Sequence, residues 1–136
     1  MTKFILLAVT AAALAAPALA QDAAAGEEGF KKCKACHSVV APDGTEIQKG
    51  GRTGPNLYGI IGRAVASDPD HSYGDSLAAL GATGAVWDAA SFSAYVANPA
   101  EYLKTALGDD GAKSRMSFKL GSGAEDITAY LVSVSQ

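Results

Sequence analysis

Cys33-Lys34-Ala35-Cys36-His37 is the stretch that decides the reading of this chain, and Cys33 and Cys36 are its only cysteines. Two thiols at Cys-x-x-Cys spacing can attack the two vinyl groups of one haem and hold it by thioether bonds. His37, the next residue, then has its imidazole directed at the iron; this is the pattern of c-type haem attachment. The other readings of the pair are weaker. A disulfide across three positions closes a tiny loop and constrains little of the unfolded chain. A thioredoxin-like redox pair needs alternating strands and helices, and no run of β-branched strand residues is present. A structural zinc site needs further His or Cys ligands, and only His71 remains.

Upstream of the motif, residues 1–20 read as an address. Lys3 gives a short positive start, Phe4 to Val9 begins an apolar run, and Ala18-Leu19-Ala20 is a small-x-small cleavage site. An uncleaved membrane anchor is the alternative. The stretch is at the short limit for spanning and is interrupted by Pro17. No cysteine follows the apolar run, so a lipoprotein is not indicated. Cleavage after Ala20 leaves residues 21–136, enough for one domain. The loss of Lys3 takes the formal charge from −3 to −4. That balance argues against nucleic acid as a partner.

Downstream, the pattern is helical and loop-rich. A helix is predicted over 22–36, with Asp22, Glu27 and Glu28 early and Lys31, Lys32 and Lys34 in its last turn, both suited to the helix dipole. Residues 39–62 hold Pro42-Asp43-Gly44, Gly50-Gly51 and Gly54-Pro55-Asn56, and read as loop. A short helix is predicted over 75–80 and a clearer one over 89–97, capped by Asp88. Asn98-Pro99-Ala100-Glu101 reads as the start of a helix to about Leu107. Residues 108–113 form a polar loop. In the last helix, 124–134, Ile127, Tyr130, Leu131 and Val134 make one apolar face. The fold class is all-α. So much loop in so short a chain implies a large apolar object inside, and a haem suits that role.

His37 is the predicted proximal ligand. The second nitrogen of a ligating imidazole usually donates to a carbonyl that orients the ring, and Pro55 is the predicted acceptor. Once the first 20 residues are removed, Met116 is the one methionine left. It stands in the polar run Lys113-Ser114-Arg115-Met116, a poor place for a core filler, and a thioether suits ferrous iron. Met116 is therefore the predicted distal ligand. His71, beside Asp68, Pro69 and Asp70, is its rival and reads as an exposed-loop residue.

At this point the chain resembles the class I cytochromes c, most of all the larger bacterial members of the cytochrome c2 group. The resemblance spans nearly all of 22–134. It is carried by Gly26 and Phe30 before the haem motif and by the run from Thr53 to Arg63. Tyr73, Trp87, Tyr95, Asn98-Pro99, Tyr102-Leu103, Met116-Ser117-Phe118-Lys119 and Ala129-Tyr130-Leu131 extend it. It implies a class I cytochrome c fold wrapped around one covalent haem c. It also implies that Pro55 accepts from His37, that Arg63, Tyr73 and Trp87 bond or screen the haem propionates, and that the Tyr95 hydroxyl points at the methionine sulfur. Ser114 is implied to lie near a propionate and Phe118 near the exposed haem edge. The first and last helices are implied to cross, with Gly26 admitting Tyr130. Arg115 stands where a lysine is common, and the loop 108–113 is the insertion of the larger type.

The function expected is a periplasmic one-electron carrier with no enzyme activity. Lys31, Lys32, Lys34, Lys49, Arg52, Lys113, Arg115 and Lys119 flank the predicted ligands and are candidates for docking acidic partners, although they are equally what an ordinary solvated surface would carry. Such partners would be redox proteins: a cytochrome bc complex, a terminal oxidase, a photosynthetic reaction centre or a periplasmic reductase. The carrier is expected to be a monomer. The rival function is a haem enzyme or ligand sensor with a labile sixth iron position, and a carrier tethered by an uncleaved N-terminal segment is a third.

Overall fold

Asp22 caps the first described helix. Its carboxylate accepts from the backbone N–H groups of Ala24 (2.9 Å) and Ala25 (3.1 Å), two of the donors a helix start leaves without partners. The computed structural model describes residues 21–136, so the predicted signal segment 1–20 lies outside the described residues. Helix α1 runs Ala23–Phe30. It is shorter than the predicted 22–36, and the difference has a function. Beyond Phe30 the bonds tighten to three-residue turns: Cys33 N–H donates to Phe30 O at 2.8 Å and Cys36 N–H to Cys33 O at 3.1 Å. Residues three apart eclipse in such turns, which sets Cys33 and Cys36 on one side. Lys31, Lys32 and Lys34 therefore follow the helix instead of closing its last turn.

Within the predicted loop 39–62 the structure holds a small antiparallel sheet, β1 (Val39–Val40) paired with β2 (Glu46–Gln48), with an irregular register between Val39 and Val40. Strands of two and three residues are too short for alternation to show in a sequence. Asn56 braces the segment that follows. Its side chain accepts from Val40 N–H (3.0 Å) and Tyr58 N–H (3.1 Å) and donates to Val40 O (2.8 Å).

Helix α2 spans Asp75–Ala82, two residues beyond its predicted end. Helix α3 spans Ala89–Ala97 and opens with a reciprocal cap between Asp88 and Ser91. Helix α4, Pro99–Leu107, starts with proline after Asn98 and stops at Gly108 in the left-handed conformation. Helix α5 is Ala124–Val134. Its predicted apolar face holds: Ile127, Tyr130 and Leu131 are buried.

The packing of α1 across α5 frames the cavity described below. A Cβ on Gly26 would overlap the Asp126 carbonyl oxygen and come within 2.8 Å of Tyr130 Cβ, so glycine is what permits this approach. Phe30, fully buried, meets the Tyr130 ring at 5.9 Å between centroids. The Tyr130 hydroxyl accepts from Gln48 Nε2 at 2.7 Å, tying the small sheet to α5. On the other side of α5, the Ser93 and Thr128 hydroxyls pair at 3.1 Å and join it to α3.

Candidate functional site

Between these elements lies an apolar cavity of about 360 Å³. Its floor comes from the Cys-x-x-Cys-His turn: Cys33, Cys36 and His37 all line it. His37 is buried, and its Nδ1 donates to the Pro55 carbonyl at 2.8 Å. That bond leaves Nε2 as the nitrogen with a free lone pair. Burial pushes the imidazole below its ordinary range, against the upward pull of the Pro55 bond, so the neutral form that a metal requires is favoured. Burial also pushes the Cys33 thiol up, opposed by nearby Lys32.

The turn is held from behind by the segment 50–57. Gly51 N–H donates to Lys34 O (2.9 Å), Gly54 N–H to Cys36 O (2.8 Å) and Leu57 N–H to Ser38 O (3.0 Å). This wrap passes close to the ring itself. A Cβ on Gly54 would come within 2.6 Å of His37 Nδ1 and 2.7 Å of Nε2. Glycine at 54 is what lets the backbone reach Pro55 to its hydrogen bond with the imidazole.

The remaining walls gather residues far apart in sequence. Arg63 donates from Nη2 to Asn56 O (2.9 Å) and from Nη1 to Tyr58 O (3.3 Å). Its Nε is buried without a partner among the described residues. The Tyr73 hydroxyl accepts from Asp68 N–H at 3.1 Å, which leaves its own proton free to donate; burial pushes its pKa up. Trp87, Tyr95 and Tyr102 form an aromatic cluster with centroids 5.0–6.0 Å apart, and Trp87 and Tyr95 reach the cavity. Met116, half-buried, lines the same cavity as His37. Ser114 Oγ accepts from Met116 N–H at 3.1 Å and lies 3.4 Å from the Tyr95 hydroxyl. The Tyr95 hydroxyl thus pairs with Ser114, the residue whose hydroxyl also accepts from Met116 N–H.

The residues present fit a haem. The thiols, the oriented neutral imidazole and the thioether supply the attachment and the soft and borderline donors that iron takes. Apolar walls suit the macrocycle, and Leu57, Ile60, Phe92, Val96, Leu120 and Ile127, which sequence reasoning did not single out, provide much of them. Ile127 carried a signal through its place on the apolar face of the last helix, and Leu57 and Ile60 lay within the run from Thr53 to Arg63. The orphan Arg63 Nε is a buried donor awaiting an acceptor, which a haem carboxylate would satisfy.

His71 departs from expectation. It is half-buried, lines the cavity and meets Tyr73 edge-on at 4.8 Å between centroids. The turn in which His71 N–H donates to Asp68 O (3.3 Å) folds it inward. Of the candidate docking residues, Lys32, Lys113 and Arg115 line the cavity. Lys31, Lys34, Lys49, Arg52 and Lys119 do not, and Lys31 is paired with Glu28 at 2.6 Å in an exposed contact of little energetic weight. Phe118 lines the mouth and is 43% exposed.

A cavity shaped in this way around a Cys-x-x-Cys-His turn is that of a monohaem c-type cytochrome. Comparison with known proteins gives the same class. The chain is 54% identical over 134 residues to cytochrome c2 of Rhodobacter capsulatus, covering 97% of this chain and 98% of that one. It is 52% identical over 136 residues to cytochrome c-551 of Roseobacter denitrificans, covering 99% and 97%. Against the solved structure of Rhodobacter capsulatus cytochrome c2 the TM-score is 0.83 at 53% identity, over 85% of this chain and 99% of that one. No protein-family profile matches. The chain belongs to the class I cytochromes c, closely related to the bacterial cytochromes c2, c-550 and c-551. It is a single-electron carrier that works through one c-type haem.

Proposed function

We propose that residues 1–20 export the chain to the periplasm and are removed after Ala20, and that residues 21–136 then work as one monomeric domain with His37 and Met116 as the two axial ligands of the haem iron. The observation that carries the axial pair is the meeting of a neutral, oriented imidazole and the Met116 side chain on one apolar cavity, from opposite ends of the chain. Among the described residues, no helix is long and apolar enough to cross a membrane.

When bound, the haem supplies a one-electron couple at iron. The chain's residues hold that couple steady. Pro55 keeps the His37 ring in one orientation, and Arg63, Tyr73 and Trp87, all on the cavity wall, are the residues that would hold the haem carboxylates. The Ser114 hydroxyl steadies the backbone next to Met116. A thioether paired with an imidazole would raise the potential of the bound haem relative to harder ligands. With His37 and Met116 both held by the fold, the chain would need little rearrangement when the haem changes oxidation state.

A partner with an acidic surface fits the mouth of the cavity, where Phe118 is exposed and Lys32, Lys113 and Arg115 form part of the wall. We read the other candidates, Lys31, Lys34, Lys49, Arg52 and Lys119, as a surrounding field that speeds encounter. Membrane-bound redox complexes, whether a cytochrome bc complex, a terminal oxidase or a reaction centre, and soluble reductases are the partner class.

Optical spectra of the holoprotein in both oxidation states test the ligation. The ferric wild type is expected to show a weak near-infrared sulfur-to-iron band, and Met116→Ala is expected to lose it. Carbon monoxide binding to the ferrous wild type at neutral pH would overturn the closed-site reading in favour of a sensor or enzyme. The electron-transfer rate to an acidic partner is expected to fall as salt rises; a flat or rising rate removes the basic docking surface. N-terminal sequencing is expected to start at Gln21, and a start at Met1 would mean a tethered carrier.

A further inference from the structure

We propose that Arg115 and Ser76 form a clasp that holds the Met116 segment against the start of α2 and so positions the sixth iron ligand; this rests on the reading of Met116 as that ligand. Residues 108–120 contain no helix or strand. The far end of the segment is anchored where Leu120 N–H donates to Val96 O at 2.9 Å. Its near end is closed on itself, Ala112 N–H donating to Asp109 O at 3.1 Å. Between those anchors the backbone carrying Met116 needs something to press it toward the cavity.

Two bonds from one neighbouring element do this. Lys113 N–H donates to Ser76 Oγ at 3.0 Å, and Arg115 Nη1 donates to the Ser72 carbonyl at 3.1 Å. They flank Ser114 and precede Met116 directly. Both acceptors belong to the stretch 72–76, which passes through Tyr73 into the first turn of α2, so the two segments meet on the same side of the cavity. Contact reinforces the bonds. A Cβ on Gly74 would lie 3.1 Å from Arg115 Cγ and 3.3 Å from Cδ, so the arginine stem lies close along that glycine. The Tyr95–Ser114 contact, at 3.4 Å, is the long bond of the set and cannot replace the other two.

The chemistry suits an arginine. Its guanidinium reaches a carbonyl as a planar, ionised donor, and hydrogen bonds of that kind are stronger than neutral ones. Arg115 is exposed, so water competes and the gain is limited. The clasp therefore tunes how readily the thioether leaves iron; the fold does not depend on it. It also gives Arg115 an inward task distinct from docking.

Imidazole binding to the ferric holoprotein tests this, read by loss of the sulfur-to-iron band. Arg115→Ala and Ser76→Ala are each expected to raise the imidazole binding constant about three- to tenfold, the worth of one net hydrogen bond. The double variant is expected to exceed either, and Arg115→Lys to fall between wild type and Arg115→Ala. Ser76→Ala changes no charge and touches no predicted ligand, so it separates clasp from electrostatics. A rise in Arg115→Ala alone would assign the effect to charge and overturn the clasp. Wild-type binding in both single variants would overturn it as well, with ligation by Met116 left standing. A wild type that lacks the band altogether would instead remove the ligation on which the clasp rests.

Discussion

Replacing Gly26 by alanine puts a single methyl group at the tightest point of the fold. On an exposed helix the change would help, because alanine is favoured over glycine by about 0.5–1 kcal/mol. Here the methyl carbon would overlap the backbone carbonyl of Asp126 and sit 2.8 Å from Tyr130 Cβ. Neither neighbour is a flexible side-chain end. The carbonyl belongs to the ladder of α5, and the Cβ is one bond from its backbone, so α1 and α5 must move apart. Overpacking of that kind costs about 1–3 kcal/mol. The separation also strains the bond from Asp22 N–H to Asp126 Oδ1 (2.9 Å) and the contact of Phe30 with Tyr130. The helix gain offsets part of this, and a net loss of about 1–2 kcal/mol is expected, or roughly 3–10 °C in Tm for a domain of this size. Gly29→Ala is the matched control. Its methyl would meet Ile127 Cγ1 at 3.2 Å and Cδ1 at 3.3 Å, atoms that a small rotation can move. Its expected effect lies within about 0.5 kcal/mol of zero. Guanidinium unfolding of the ferric holoprotein, followed by far-ultraviolet circular dichroism, measures both. A Gly26→Ala variant as stable as wild type, or a Gly29→Ala variant that loses as much, would refute the account of the crossing.

Arg63→Gln is expected to cost about 1–3 kcal/mol, because the carbonyls of Asn56 and Tyr58 lose a charged donor. It should also lower the midpoint potential, since a positive charge near the propionates favours the reduced state; potentiometry reads the shift, and a rise would contradict it. Asp88 has its carboxyl pulled below the ordinary range by the Ser91 backbone and side-chain bonds at the start of α3. Because its folded pKa lies below the unfolded value of about 3.9, its stabilisation is complete above that value and is lost as pH falls through the folded pKa. Asp88→Asn, which cannot ionise, should show a shallower acid limb in stability measured across that window than wild type, and an unchanged limb would sink this assignment. Tyr130→Phe leaves Gln48 Nε2 without its acceptor at 2.7 Å and is expected to cost about 1 kcal/mol. Thermal unfolding checks it, with no loss as the contrary result.

The sequence by itself determined the cofactor and the helical outline. Cys33, Cys36 and His37 are contiguous, so covalent attachment and proximal ligation were legible without any fold. Helices α3, α4 and α5 carry their start signals, Asp88 and Asn98-Pro99, or an unbroken apolar face, in neighbouring residues, and local signals survive in a linear text. The tertiary structure decided what depends on contacts between distant residues. α1 stops at Phe30 although its pattern continues, because the attachment turn needs three-residue bonds that set both thiols on one side. The strands at 39–40 and 46–48 exist through pairing and are too short to show a period. His71, polar in a polar run, gave no sign that its loop would fold it against Tyr73 on the cavity wall. The bonds of Arg115 to Ser72 and Lys113 to Ser76 cross 43 and 37 positions. Their partners are a backbone carbonyl and a serine hydroxyl, groups found throughout any chain, and only the folded backbone selects which of them meet.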